Sequence, residues 1–585
     1  MMNLKWRTVG RSLVATICAF FAGCGGGSGE WRILLDPHET LLRADLPPPD
    51  TGSQALTSAE WPRRRLPGRF DLDAFRLHER MEPPGAPALP APQFPSTVVE
   101  LSLDPVARTL EGRATIAVTA ADAEISSLAF YLSASAIDAV EAQDPAATFT
   151  FQNEILTVTP AQPIPAGGAW SVSVRWHDRD VERELDFTLE GGGIVLANYL
   201  GNPSTFFTYG YHFWPRPRQT NNLGRVEFRL RYPEAQRLYF SGRKLSEASN
   251  GDGTASAAYE VEHVLWFGVS LALSSYQVVD IDCGDVTLHL AGMPGASIDG
   301  FPIVPASYAA GMKKLCEDFS ARFGPPAFSE IAFAGVDERF INGFSAPGLI
   351  LVPNYTFDDD GTGSFSERDF FLGHELSHQW WGNDVFIQQN RNIWLIEGMA
   401  DYVTMQALGA LYDAQAIRNL WRWEVRPLLD WWAAGGTDHP LVPPAPIDME
   451  PRIFYVKGAW VLKMLEGVIG ESAMRSLLRT IRAGHPFTAI TTEEFMTVAQ
   501  TEAGSDLGWF FDQWAFGTGW LELDETHVVE NGRATVTVTQ KKSFASEPAR
   551  YFRTPLLLRA EKGEAATEKS FTLENAAQEF LLDLP

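Results

Sequence analysis

Gly373-His374-Glu375-Leu376-Ser377-His378-Gln379-Trp380-Trp381-Gly382-Asn383 places two histidines four residues apart with a glutamate between them. Upstream, Ser366 followed by Asp369 is a helix-start pattern, and apolar spacing of three and four predicts a helix over 366–381. One helical turn takes about 3.6 residues, so His374 and His378 share a face. That is the separation at which two imidazoles can reach one zinc ion at about 2.0–2.1 Å. Glu375 falls beside them, able to act on a zinc-activated water as general base without displacing it. Two protein ligands hold zinc weakly, and a third is available from Ile393-Trp394-Leu395-Ile396-Glu397-Gly398-Met399-Ala400-Asp401. Eighteen residues separate His378 from Glu397, room for a loop and a second helix. A His374, His378, Glu397 set leaves one coordination position open, as catalytic zinc requires. Asp401, a turn beyond Glu397, is either an acceptor for the non-ligating nitrogen of a zinc histidine or a solvated helix residue. Trp380, Trp381 and Trp394 read as core packing around these helices.

Outward from this centre, helical spacing recurs at 308–323, 393–411, 453–469 and 492–511, so residues 299–520 are expected to form a mostly helical catalytic domain. Before it, Val99, Leu101 and Leu103, then Ile116 and Val118, then Trp170, Val172, Val174 and Trp176 alternate with polar neighbours. That period of two predicts an antiparallel β domain over 96–298. After it, Thr535-Val536-Thr537-Val538 and the run near 552–558 predict a small β domain over 521–585. The expected fold class is therefore multidomain α+β.

These residues resemble the aminopeptidase N and leukotriene hydrolase family of gluzincin metallopeptidases. His378 to Asn383 and the segment from Trp394 to Tyr402 are similar to that family's pattern, as is Phe510-Phe511-Asp512-Gln513-Trp514 followed by Gly519. The resemblance extends over about residues 97–560 and implies a β saddle domain joined to a thermolysin-like catalytic domain. It also implies a role for Tyr455, in Tyr455-Val456-Lys457-Gly458-Ala459, as the hydroxyl that stabilises the transition state. The implied activity is peptide-bond hydrolysis by zinc-activated water, with aminopeptidase-type action on peptide substrates.

One position departs from the family. Its amine-anchoring glutamate lies in a Gly-x-Met-Glu-Asn strand before the zinc helix. Here the matching stretch is Asn342-Gly343-Phe344-Ser345-Ala346-Pro347-Gly348-Leu349-Ile350, with Ser345 at the glutamate's place. A neutral hydroxyl does not balance a partly desolvated ammonium. Residues 191–218, where the family takes its second anchor, contain no Glu, Gln or Asp. Asp337 and Glu338 are candidate replacements. Two alternatives therefore stay open beside the aminopeptidase: an endopeptidase or hydrolase of N-blocked peptides, and a non-catalytic binding protein of the same fold.

The 585 residues carry 47 basic and 73 acidic side chains, a formal charge of −26, with 45% apolar and 21% charged residues. That composition supports two to four folded domains and repels nucleic acid, so no nucleic-acid partner is expected. Lys5, Arg7 and Arg11 precede an apolar run from Leu13 to Ala22, a signal-peptide pattern over 1–23. Phe21-Ala22-Gly23-Cys24 resembles a bacterial lipobox, implying a lipid on Cys24 and an exported, membrane-anchored lipoprotein on the outer-membrane or periplasmic side; an ordinary secretory signal is the alternative. Gly25-Gly26-Gly27-Ser28-Gly29 is a flexible tether, and prolines at 83, 84, 87, 90, 92 and 95 close a linker over 24–95. Cys283 and Cys316 fit either a disulfide or two buried thiols. The pattern does not specify an oligomeric state.

Overall fold

The computed structural model describes residues 32–36 and 92–584, apart from 187–193, 209–211, 219–222, 265–267, 294–305, 338, 341–342, 358–366, 388, 445–449, 542–550 and 563–564. The signal segment, Cys24, the glycine tether, nearly all of the proline-rich linker, Ser366 and Glu338 lie outside the described residues. By contacts the described residues form two compact units, one drawn from 65–390 with 482–490, the other from 32–36, 391–481 and 491–584.

The first unit is built on a seven-stranded sheet in the order Arg243–Ser249, Thr254–Val261, Val226–Pro233, Gln93–Asp104, Thr109–Thr119, Ala169–Arg179, Ala136–Ala142. Its strands alternate as the sequence patterning predicts. Val99, Leu101, Leu103, Ile116, Val118, Trp170, Val172, Val174 and Trp176 all point into one core. Pairing is antiparallel except between Val226–Pro233 and Gln93–Asp104, which run parallel, a long-range pairing that local alternation does not encode. Gly112 sits across from Trp176, where a Cβ would come within 2.1 Å of the indole.

A second sheet in this unit runs Gln277–Asp282, Thr287–Gly292, Glu330–Val336, Leu349–Pro353, Phe344–Ala346. Thr287–Gly292, Glu330–Val336 and Leu349–Pro353 are mutually parallel, and Phe344–Ala346 closes the edge antiparallel to Leu349–Pro353. Glu330–Val336 and Leu349–Pro353 are buried at nearly every position. Strands covered on both faces lack a period of two, which is why this sheet escapes a reading based on alternation. Helix Ala306–Phe323 follows the Thr287–Gly292 strand and carries Cys316; Cys283 lies in the turn after Gln277–Asp282. Both cysteines are buried, unbonded thiols.

The second unit contains helices Glu397–Leu408, Ala414–Ala433, Gly458–Ile469, Thr492–Ala503 and Gly508–Trp514, and helix Glu471–Gly484 up to Ile481. Thr492–Ala503 opens on a full capping box, with Thr491 and Glu494 exchanging side-chain and backbone hydrogen bonds. Strands Glu522–Glu530, Arg533–Lys541 and Ala577–Asp583 form one terminal sheet, and Thr554–Lys562 with Ala565–Leu573 another. The two share a core of Val536, Val538, Leu556, Leu558, Phe580 and Leu582. Arg32–Asp36 adds to the second sheet as an antiparallel strand beside Thr554–Lys562. Sequence patterning does not find that strand, because five residues in a stretch without clear periodicity leave too little signal.

Candidate metal centre

The helix Glu367–Ser377 carries His374 and Glu375, and His378 follows its last residue in a turn. The helix ends four residues before the predicted end at 381. The Ser377 hydroxyl donates to the His374 carbonyl at 2.7 Å, and the Trp380 and Trp381 amides both fold back on the Ser377 carbonyl. Gly382, at φ 129°, then reverses the chain. Trp380 packs on Phe319 and donates its indole N–H to the Gly324 carbonyl, while Trp381 meets Phe323 edge-on. Both tryptophans therefore anchor the end of the metal helix, in keeping with the core-packing expectation.

The imidazole rings of His374 and His378 stand nearly perpendicular, and their Nε2 atoms are 3.1 Å apart. Two nitrogens at about 2.05 Å from one tetrahedral ion lie about 3.3 Å from each other, so this spacing suits a shared zinc. The Nδ1 of His378 lies 2.8 Å from the Trp381 carbonyl. A carbonyl only accepts, so the neutral ring carries its proton on Nδ1 and presents the Nε2 lone pair toward His374. That backbone carbonyl orients the His378 ring.

Glu397 is the first residue of helix Glu397–Leu408 and is fully buried. The three-ten turn Asn390–Leu395 that delivers it is pinned from within. Thr492 donates its amide and hydroxyl to Asn392 Oδ1, and Trp394 Nε1 donates to the same hydroxyl at 3.0 Å. A carboxylate in the first turn is favoured by the helix dipole, yet burial of its charge still calls for a cation. The donor atoms of His374, His378 and Glu397 all lie within 4.8 Å of one another. Two neutral imidazoles and one carboxylate match the donor set and net charge of a catalytic zinc site, and the residues present fit one Zn2+.

Glu375 is buried beside Gly343, where an added Cβ would fall 2.0 Å from its Oε1. That approach brings the chain just before strand Phe344–Ala346 against the Glu375 carboxylate. Tyr455 lies in a five-residue π turn, Ile453–Lys457, every residue of which is buried. This turn presses on the helix of Glu397, since a Cβ on Gly398 would be 2.8 Å from the Phe454 carbonyl oxygen and 2.9 Å from Gly458.

Ser345 sits in the edge strand opposite Ile350 and is buried. Its Oγ accepts from Gln379 Nε2 at 2.7 Å, and its carbonyl accepts from Asn383 Nδ2 at 3.1 Å. Gln379 also donates to the Ala346 carbonyl and accepts the Gly348 amide. The edge strand is thus tied to the segment after the metal helix by neutral amides. Asp337 is already committed elsewhere. Burial would raise its pKa, but Arg339 bonds both carboxylate oxygens at 3.0 Å and holds it below the usual range. Arg339 also reaches Glu182 at 2.7 Å.

Residues 356–514 match the peptidase family M1 domain. Aminopeptidase N of Lactobacillus helveticus is 27% identical over 182 residues, 30% of this chain and 21% of that protein. The probable aminopeptidase 1 of Sulfurisphaera tokodaii is 24% identical over 366 residues, 58% of this chain and 45% of the relative. The chain thus spans less than half the length of these curated relatives. An M1 zinc metallopeptidase from Deinococcus radiodurans shares the fold with a TM-score of 0.58 at 18% identity, covering 74% of this chain and 94% of that one. A mutant of the same metallopeptidase, bound to a Tyr-Ser-Ala substrate, aligns with the same TM-score and identity, covering 74% of this chain and 95% of that one.

Proposed function

We propose that the chain is a zinc metallopeptidase of the aminopeptidase N family of gluzincins, and that it hydrolyses peptide bonds, removing residues from the N-termini of peptides. The observation that carries this is the buried convergence of His374, His378 and Glu397. His374, His378 and Glu397 would hold the zinc, which when bound would supply Lewis acidity to a scissile carbonyl and to the attacking water. The chain's own groups do the rest. Glu375 takes a proton from the attacking water onto its carboxylate and returns it to the leaving amine. The Tyr455 hydroxyl donates a hydrogen bond to the oxygen on which negative charge develops. His378 keeps its proton on Nδ1 through the Trp381 carbonyl, so that Nε2 stays a donor of electrons. Residues 299–520 are the peptidase domain in this reading, between β domains at 96–298 and 521–585.

A second reading, an endopeptidase or a hydrolase of N-blocked peptides, is favoured by one observation. Ser345 is neutral, buried and bonded to Gln379, and Asp337 is paired with Arg339, so neither offers an uncompensated negative charge to an ammonium group. The test is cleavage of a peptide library in free and N-acetylated forms by the zinc-loaded protein, with sites read by mass spectrometry. Stepwise loss of the first residue from free peptides alone supports the aminopeptidase. Internal cuts, or equal cleavage of acetylated peptides, select the second reading. Export and lipidation on Cys24 belong to the same proposal and predict that Cys24→Ala moves the protein from the membrane to the soluble fraction; unchanged fractionation would remove them.

A further inference from the structure

The π turn that carries Tyr455 is held on one side by Glu397's helix, through the close approach of Gly398 to Phe454 and Gly458. Its end is tied by a buried ion pair. Lys457 Nζ lies 2.8 Å from Asp438 Oδ2, and both side chains are almost wholly excluded from solvent. The same Asp438 oxygen accepts the amide of Gly519 at 2.8 Å. Gly519 has φ 112°, a conformation that favours glycine, so its N–H is aimed at the carboxylate by the backbone. Nearby, Trp432 stacks on Trp520 at 4.2 Å and the Val442 amide bonds the Ala515 carbonyl, so the strap that presents Gly519 is itself fixed.

A buried ammonium is costly, and burial lowers the pKa of Lys457 while Asp438 opposes that shift. Buried pairs add little net stability compared with apolar packing, but they are well attested as devices that choose one register over another. A π turn has such an alternative. Tightening it by one residue to α-helix rotates the side chains by about 100°. That rotation would withdraw Lys457 from Asp438 and re-aim Tyr455, two positions earlier on the same turn.

We infer that Lys457 and Asp438 are positioning residues for Tyr455, a buried latch that selects the π register in which the tyrosine hydroxyl is presented for reaction. The inference rests on the reading of Tyr455 as the group that bonds the developing oxyanion. Lys457 touches no substrate in this account and acts only through the turn.

The test is a cycle of Lys457→Met and Tyr455→Phe, alone and together, on the zinc-loaded full chain, with kcat, KM and zinc content measured for each. The latch predicts that Lys457→Met lowers kcat about 10- to 100-fold, the scale of a small misplacement of a reacting group, with KM and zinc content unchanged. It also predicts that Lys457→Met has no further effect on kcat once Tyr455 is Phe, because the two act as one unit. Lys457→Arg should recover part of the loss. If Lys457→Met does not accumulate in folded form, Asp438→Asn, which preserves the side chain's shape, carries the same comparison. Equal loss of kcat in both backgrounds, or lowered thermal stability with unchanged kcat, overturns the latch alone. Wild-type kcat in Tyr455→Phe overturns the reading of the tyrosine and the latch with it.

Discussion

The metal helix with the turn that follows it and the edge strand Phe344–Ala346 meet through Gln379 and Asn383 of that turn, yet they differ sharply in chemistry. The helix and the turn after it bring ionisable, metal-competent groups into a buried place, with His374, Glu375 and His378 all within five residues. The strand brings a hydroxyl and backbone carbonyls, each answered by a neutral amide. Charge buried in a low-dielectric interior is stable only where something of opposite sign compensates it. The metal centre satisfies that condition with a cation. The strand avoids the need for it. In the proposed reading, hydrolysis and recognition of a substrate's end rest on different groups, and substitutions on the two sides should separate them.

The largest effect is expected at the ligands. His374→Ala should abolish stoichiometric zinc and all turnover, as read by metal analysis and peptide cleavage on the same sample. Glu375→Gln should retain zinc and lower kcat by about 10²- to 10⁴-fold, the range over which a positioned base contributes. Gly343→Ala bridges the two regions, because its methyl would occupy the space of the Glu375 carboxylate. It should keep zinc but lose about 10- to 100-fold in kcat, and unaltered kinetics would show that the base tolerates displacement. Ser345→Ala should be the mildest. It removes one buried acceptor while Gln379 retains the Ala346 carbonyl, costing about 1 kcal/mol in a denaturation experiment. It should leave the ratio of free to acetylated peptide cleavage unchanged; a shift in that ratio would give Ser345 a direct part in recognition and break the contrast.

Much of this was readable from local pattern. The inward alternation from Val99 to Leu103 and from Trp170 to Trp176 appears in the sheet as expected, since a half-buried strand writes a period of two into its sequence. His374, His378 and Glu397 cluster as their motif spacing predicts. What local pattern does not carry is pairing at a distance. The parallel contact of Val226–Pro233 with Gln93–Asp104 joins strands far apart in the chain, and Glu330–Val336 is buried on both faces and so has no alternation to read. The helix ends before His378, where the Trp380 and Trp381 amides both turn back on the Ser377 carbonyl, a three-dimensional detail inside a run whose periodicity continues. The π turn is invisible for a related reason, since 453–469 reads as one helix until the backbone register is seen. Gln379 and Asn383, conspicuous beside the metal motif, show their partnership with Ser345 only once the strand is folded against them.

The most direct measurement of the central claim is zinc content and peptide cleavage, determined side by side for the unaltered protein and Glu375→Gln. One zinc per chain in both, with hydrolysis in the first and nearly none in the second, is the result predicted by a metal held by His374, His378 and Glu397 and a base at Glu375. Substantial hydrolysis by zinc-loaded Glu375→Gln, or hydrolysis by the unaltered protein that survives complete removal of zinc, would contradict it.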